Sequence, residues 1–174
     1  MKKLILLGTI AMCAMVTLAQ TQKKAPASPA MDTTVSIGDH TVAVKYSAPS
    51  MKGRKIFGGL VPYGQVWRAG ANSATALHTD GDLMIGKLMV PKGDYTLYVL
   101  PTADSWQLII NKQTGQWGTE YSEGQDLGRV KMTITKAAAP VELFKISLSP
   151  ASGKNVNLRM EWEETVATVP VTIH

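Results

Sequence analysis

Between Ser47 and Thr75 the chain carries four cations, Lys52, Arg54, Lys55 and Arg68, and no carboxylate. The chemistry open to such a stretch is the holding of an anion. Lys52, Arg54 and Lys55 fall within four residues, and Gly53 and Gly58 let the backbone bend close to a ligand or form a nest of amides. Arg68 adds a planar fork suited to carboxylate or phosphate. Gln65 to Arg68 alternates in character, so in extended chain Trp67 and Arg68 point to opposite faces. With Trp67 in the core, Arg68 faces a loop cavity beside Asn72; with Arg68 inside, it needs a carboxylate or several carbonyls, because an unpaired buried charge is too costly. Trp117, in a second glycine-rich stretch, offers an aromatic wall. The competing reading is purely structural: Lys52 and Lys55 solvated, Ile56 and Phe57 plugging the end of the scaffold, and Arg54 and Arg68 bonded to loop carbonyls.

Other chemistries find less support. His40, His78 and His174 stand at no metal-ligand spacing, and Cys13 lies in an N-terminal stretch read below as removed, so no metal site and no cofactor is expected. The serines form no Gly-x-Ser-x-Gly elbow, and the glycines do not match a phosphate-binding fingerprint. Paired carboxylates would suit glycoside hydrolysis. Glu161 and Glu163 share a strand face, but with Arg159 among them they read as a solvated face. A hydrolase setting acids of the second stretch, such as Asp126, against Arg68 is the alternative enzyme reading. A structural or partner-binding envelope protein is the third.

Lys52 to Gly58 (KGRKIFG), Leu60 to Gly64 (LVPYG) and Val66 to Asn72 (VWRAGAN) with Ala74-Thr75, followed by Val90 to Tyr95 (VPKGDY) and the Asn111-Lys112 and Gln116-Trp117-Gly118 pieces, form a spaced Trp- and Gly-bearing signature. It resembles that of the bacterial domain of unknown function 2911, over about Val35 to Glu163. The resemblance implies an exported single domain and supplies no catalytic residues. Ala69 stands where that family often has Thr.

The elements that must position these residues read as strands. Val42, Val44 and Tyr46 alternate with Ala43 and Lys45, and Phe144, Ile146 and Leu148 with Lys145 and Ser147. The alternations at Val130, Met132 and Ile134, and at Val156, Leu158, Met160 and Trp162, place those seven side chains in one core. Trp106, Leu108 and Ile110 repeat the pattern, although Ile109 spoils their outer face. Turn residues separate the runs, and Pro140 stops Ala137–Ala139 from growing into a helix. The expected fold is all-β, an antiparallel, jelly-roll-like β-sandwich of about ten short strands. Two long loops interrupt it, Ser47 to Thr75 and Asn111 to Gly128, and loops of that length in compact domains usually have a task. Pro170 confines the last run, Thr165 to Ile173, to an edge.

Lys2 and Lys3 followed by the uncharged run Leu4 to Leu18 read as a signal peptide too short to span a membrane, cut near Ala19. Residues 20–30 read as a Pro- and Ala-rich linker, and 31–174 as a single domain. Setting aside the lysines at 2, 3, 23 and 24 lowers the formal charge from +5 to +1, so nucleic acid is not an expected partner. The sequence thus describes an exported periplasmic or secreted module with no transmembrane span in its mature form. Its expected partner is a small-molecule or glycan ligand, anionic or sugar-like, held without catalysis.

Overall fold

The computed structural model describes residues 27–173, so the expected signal peptide, most of the expected linker and His174 lie outside the described residues. Nine strands make up the scaffold: β1 (Ala30–Ile37), β2 (His40–Ser47), β3 (Thr75–Thr79), β4 (Leu83–Ile85), β5 (Leu88–Val90), β6 (Gly93–Pro101), β7 (Trp106–Asn111), β8 (Asp126–Pro150) and β9 (Asn155–Ile173). A single 3₁₀ turn at Glu123–Gln125 is the one helical element among the described residues. The fold is all-β, and every strand pair is antiparallel. All nine strands join one sheet in the order β1-β2-β3-β6-β7-β8-β9-β4-β5. One continuous sheet, rather than two separate ones, therefore lines the core.

Two strands are far longer than the sequence pattern anticipates. β8 runs for 25 residues and β9 for 19, and their shared ladder shifts register between Lys136 and Val141 and again before Lys145. Ala137–Pro140 occupies that irregular stretch. Pro140 has no N–H to give a ladder, and a bulge is where a strand tolerates it. Beyond the bulge the C-terminal part of β8 meets the end of β2 and the segment that follows it. Phe144 N–H donates to the Pro49 carbonyl at 2.9 Å, Met51 N–H to the Glu142 carbonyl at 2.7 Å, and Ile146 N–H to the Tyr46 hydroxyl at 3.0 Å. The two arms of the sheet so enclose Val44, Leu97, Leu108, Leu158, Met160 and Trp162.

Six of the seven core residues expected from the alternations of β8 and β9 are buried. Ile134 is not: it is 37% exposed. The β7 ladder ends at the Trp106–Met132 pair, and from Thr133 to Lys136 β8 pairs only with β9. No second layer covers Ile134 there. Pro170 falls where the β9 ladder to β8 has ended at Thr168 and that to β4 has yet to begin at Val171, and its carbonyl accepts from Gly86 N–H at 2.8 Å.

The second long loop is packed onto the sheet face opposite the main core. Tyr98 is 1% exposed although it points away from Leu97 and Val99. Tyr121 packs edge-on against it at 4.9 Å. Gln116 Nε2 donates to the Tyr98 hydroxyl at 3.0 Å and to Thr96 Oγ1 at 3.3 Å, while Asn111 Nδ2 donates to the Ser122 carbonyl and to Asp126 Oδ1, both at 2.9 Å. Ile109, the cross-strand partner of Tyr98, spoils the alternation because its face is buried too.

Candidate functional site

The first long loop is tied to the scaffold at points that fix its side chains. Ile56 and Phe57 are buried, and the Phe57 ring meets Trp106 at 4.4 Å and Trp67 at 6.0 Å. Trp67 exchanges two main-chain hydrogen bonds with Val99, each 2.8 Å, using β6 where its ladder with β3 has ended at Leu97. Its indole stacks on that of Trp162 with centroids 5.7 Å apart and planes 17° apart. Its Nε1–H donates to the Gly70 carbonyl at 3.2 Å.

Arg68 faces away from that aromatic cluster, as alternation from Trp67 requires. Its Nη1 makes one long bond, 3.5 Å, to the Asn72 carbonyl, and its stem lies on Gly118 of the second loop. A Cβ at Gly118 would overlap Arg68 Cδ and come within 2.7 Å of the Asn72 carbonyl oxygen. The two loops are zipped together at this point. Gly118 N–H donates to Asn72 O at 3.0 Å, Ala74 N–H donates to Gln116 O at 3.2 Å, and Ser73 and Trp117 form a β-bridge.

A cavity of about 350 Å³ opens against the first loop. Lys52, Arg54 and Arg68 line it with Trp67 and Trp162, Leu60 and Val61 add apolar surface, and Ser28 and Ser50 add polar groups. No carboxylate is among its lining residues. Arg54 is engaged by its own loop, since Nε donates to the Met51 carbonyl at 3.0 Å and Nη2 to the Ser50 carbonyl at 2.7 Å. Lys52 and Arg68 belong to no ion pair among the described residues. The acids nearest the loop serve its backbone: Glu142 accepts from Lys52 N–H at 2.8 Å and Glu163 from Phe57 N–H at 3.4 Å.

Backbone strain gathers at the same place. Among the described residues, the four non-glycine residues with positive φ are Lys52 (50°), Ala69 (49°), Asn72 (60°) and Glu163 (55°). Lys52 lines the cavity, and each of the others adjoins a lining residue: Arg68, Ala71 and Trp162 in turn. Such conformations are costly and persist where surrounding structure imposes them, commonly at ligand sites.

Of the seven candidates from the sequence, Lys52, Arg54, Trp67 and Arg68 meet in this cavity. Lys55 is exposed outside it, its carbonyl holding Leu60 N–H at 3.1 Å. Asn72 presents its main-chain carbonyl to Arg68, and Trp117, 51% exposed, lies with Ser73 on the zipper. Trp162 was readable only as a core residue, because no local pattern reveals that β9 brings it beneath Trp67. Asp126 does not face Arg68; it accepts from Asn111 at 2.9 Å, from the Tyr121 hydroxyl at 2.7 Å and from Arg129 at 3.0 and 3.1 Å. Glu161 pairs with Arg159 at 2.8 Å, and the hydrogen bond from that guanidinium holds its carboxyl below the usual range. Among the described residues no group of three or more His, Cys, Asp or Glu is arranged for a metal. No helix of those residues is long and apolar enough to cross a membrane.

A family model described as protein of unknown function (DUF2911) matches residues 28–171. The chain belongs to the DUF2911 family. The match takes in every strand from β1 to most of β9, the cavity, and both long loops of this DUF2911 chain. Comparison with curated proteins and with solved structures returned no match.

Proposed function

We propose that the protein is an exported, noncatalytic binding module that holds an anionic or sugar-like ligand in the cavity beneath Lys52 and Arg68. Export rests on Lys2-Lys3, the apolar run after them and Ala19. The binding reading rests on one observation above the others: three cations and no carboxylate line a cavity with apolar walls, and two of those cations have no acidic partner among the described residues. Ligand sites combine mostly apolar walls with a few placed polar groups, in volumes from about 300 Å³ upward. A hydrolase would need two acids facing one substrate, and Asp126, Glu161 and Glu163 each bond elsewhere.

The test is thermal unfolding of the mature chain, from Gln20, against small anions and envelope glycans. A true ligand at a hundredfold its dissociation constant stabilises by about 2.7 kcal/mol. Arg68→Lys keeps the charge and loses the fork, so the ligand-induced shift falls while the unliganded unfolding temperature stays. If Arg68 were a structural brace, Arg68→Lys would instead cost the unliganded protein about 1.5 to 3 kcal/mol, the worth of a charged hydrogen bond.

A further inference from the structure

At a second place in the fold, apart from the cavity of the first loop, we propose a docking site for an extended peptide: acidic side chains alternating with apolar ones, added as a strand to the free edge of β8 at Arg129–Lys131. β7 flanks β8 as far as Met132, and β9 flanks it only from Thr133. β9 leaves β8 after Thr168 and pairs with β4 from Val171. In the fork so formed, Arg129 to Lys131 have a ladder on one side only. Successive residues of an antiparallel strand turn their N–H and C=O groups to opposite sides. On the side away from β7, no main-chain partner meets this stretch among the described residues. Such an edge is a template for another strand. Pro170, with no N–H to give, stands where β9 has left β8, and its carbonyl is taken by Gly86 N–H at 2.8 Å.

The fork holds a cavity of about 610 Å³, lined by the turn between β4 and β5, by Arg129 to Lys131 and by Pro170. A Cβ at Gly86 would overlap Val130, and one at Gly128 would come within 2.7 Å of Leu88, so glycines set the turn close against β8. Leu88 and Val130 give the cavity its apolar surface. Three cations line it and no carboxylate does. Arg129 is engaged by Glu123 and Asp126, at 2.7 and 3.0 Å, whereas Lys87 and Lys131 enter no ion pair among the described residues. The side chains of an added strand alternate between faces as those of β8 do. Those on the face of buried Val130 meet apolar surface, and those on the face of exposed Lys131 meet positive charge. A small anion would answer the lysines and leave the donors and acceptors of the edge unmet; another main chain supplies both.

Fluorescence anisotropy of the labelled peptide acetyl-Glu-Val-Glu-Val-Glu-amide with the mature chain tests this, joined to amide exchange of the protein. The peptide is expected to bind at least tenfold more tightly than its Lys-Val-Lys-Val-Lys counterpart. Lys131→Glu is expected to remove at least tenfold of that affinity with far-ultraviolet circular dichroism unchanged. Bound peptide is expected to slow amide exchange within Arg129–Lys131. Of two peptides N-methylated at alternate residues, in the two possible sets, the one methylated on the groups that face β8 is expected to lose binding although every charge is kept. Equal binding of the acidic and basic peptides, binding by both methylated forms, or free glutamate competing as well as the peptide overturns the proposal. So does slowed exchange elsewhere with Arg129–Lys131 unaffected, or no anisotropy change at all. If the same amides are protected in a dimer of the free chain and exposed on dilution, the edge belongs to a second copy and the peptide assignment is overturned.

Discussion

Lys52 sets a residue's conformation against its charge. A side chain at φ 50° pays a steric penalty of roughly 1–2 kcal/mol that glycine escapes, and Lys52 is exposed, so packing does not demand its stem. Lys52→Gly should leave the unliganded protein as stable or more so, by up to about 1 kcal/mol after the entropy that glycine adds to the unfolded chain. The same change should weaken binding of an anion. Lys52→Ala should weaken binding equally without the gain in stability, and chemical denaturation of the two variants separates charge from strain. Trp162 is the opposite case: it is 1% exposed and meets Phe57, Trp67 and Phe144. Trp162→Ala should cost about 3 to 5 kcal/mol, read in the same denaturation experiment. The cations and Trp67 were legible as candidates from residue type alone. Which guanidinium remained available was not, since that depends on whether the Ser50 and Met51 carbonyls turn toward Arg54 or away.

At the scale of elements, the second long loop positions Arg68 without lining its cavity. Gly118→Ala puts a methyl where Arg68 Cδ and the Asn72 carbonyl lie, so the loop zipper must open or Arg68 must move. Ligand affinity should fall at least as far as in Arg68→Lys, and amide exchange at Ala74 and Gly118 should quicken. The far side of that loop is held by Tyr121, Asp126 and Arg129. Burial, and then its hydrogen bond to Asp126, push the Tyr121 hydroxyl up to about 12. A raised folded value means that the folded state keeps its proton when the unfolded chain loses it near 10. Stability from this group is complete below pH 10 and declines between about pH 10 and 12. Tyr121→Phe should make that decline shallower, measured by denaturant midpoints across the alkaline range. The strict alternation of Val156 to Trp162 made the core part of β9 legible. Ile134 failed by the same rule, because alternation marks the face of a strand and does not say whether another layer covers it. Likewise Asn111 to Gly128 was legible as a long loop with a task, while its covering of Thr96 and Tyr98 depends on contacts between distant parts of the chain.

For the whole molecule, the all-β antiparallel scaffold followed from period-two patterning and turn residues. Its closure did not: only a sheet curled so far that β1 and the end of β2 reach β8 brings Trp67 and Trp162 together, and sequence periodicity carries no curvature. Mass spectrometry of envelope fractions should find a chain starting at or near Gln20, and a mature terminus at a lipidated Cys13 would contradict export by the proposed cleavage. The binding claim comes down to one guanidinium, and side-chain nuclear magnetic resonance observes it directly. In a titration of the mature chain with the small anion or glycan that most raises its unfolding temperature, with Arg68→Lys used for assignment, the Arg68 Nε–H resonance should move and saturate. Those of Arg129 and Arg159, already paired with Asp126 and Glu161, should stay. An Arg68 signal that does not move, or one that drifts in step with Arg129 and Arg159 without saturating, would contradict a ligand site in this cavity.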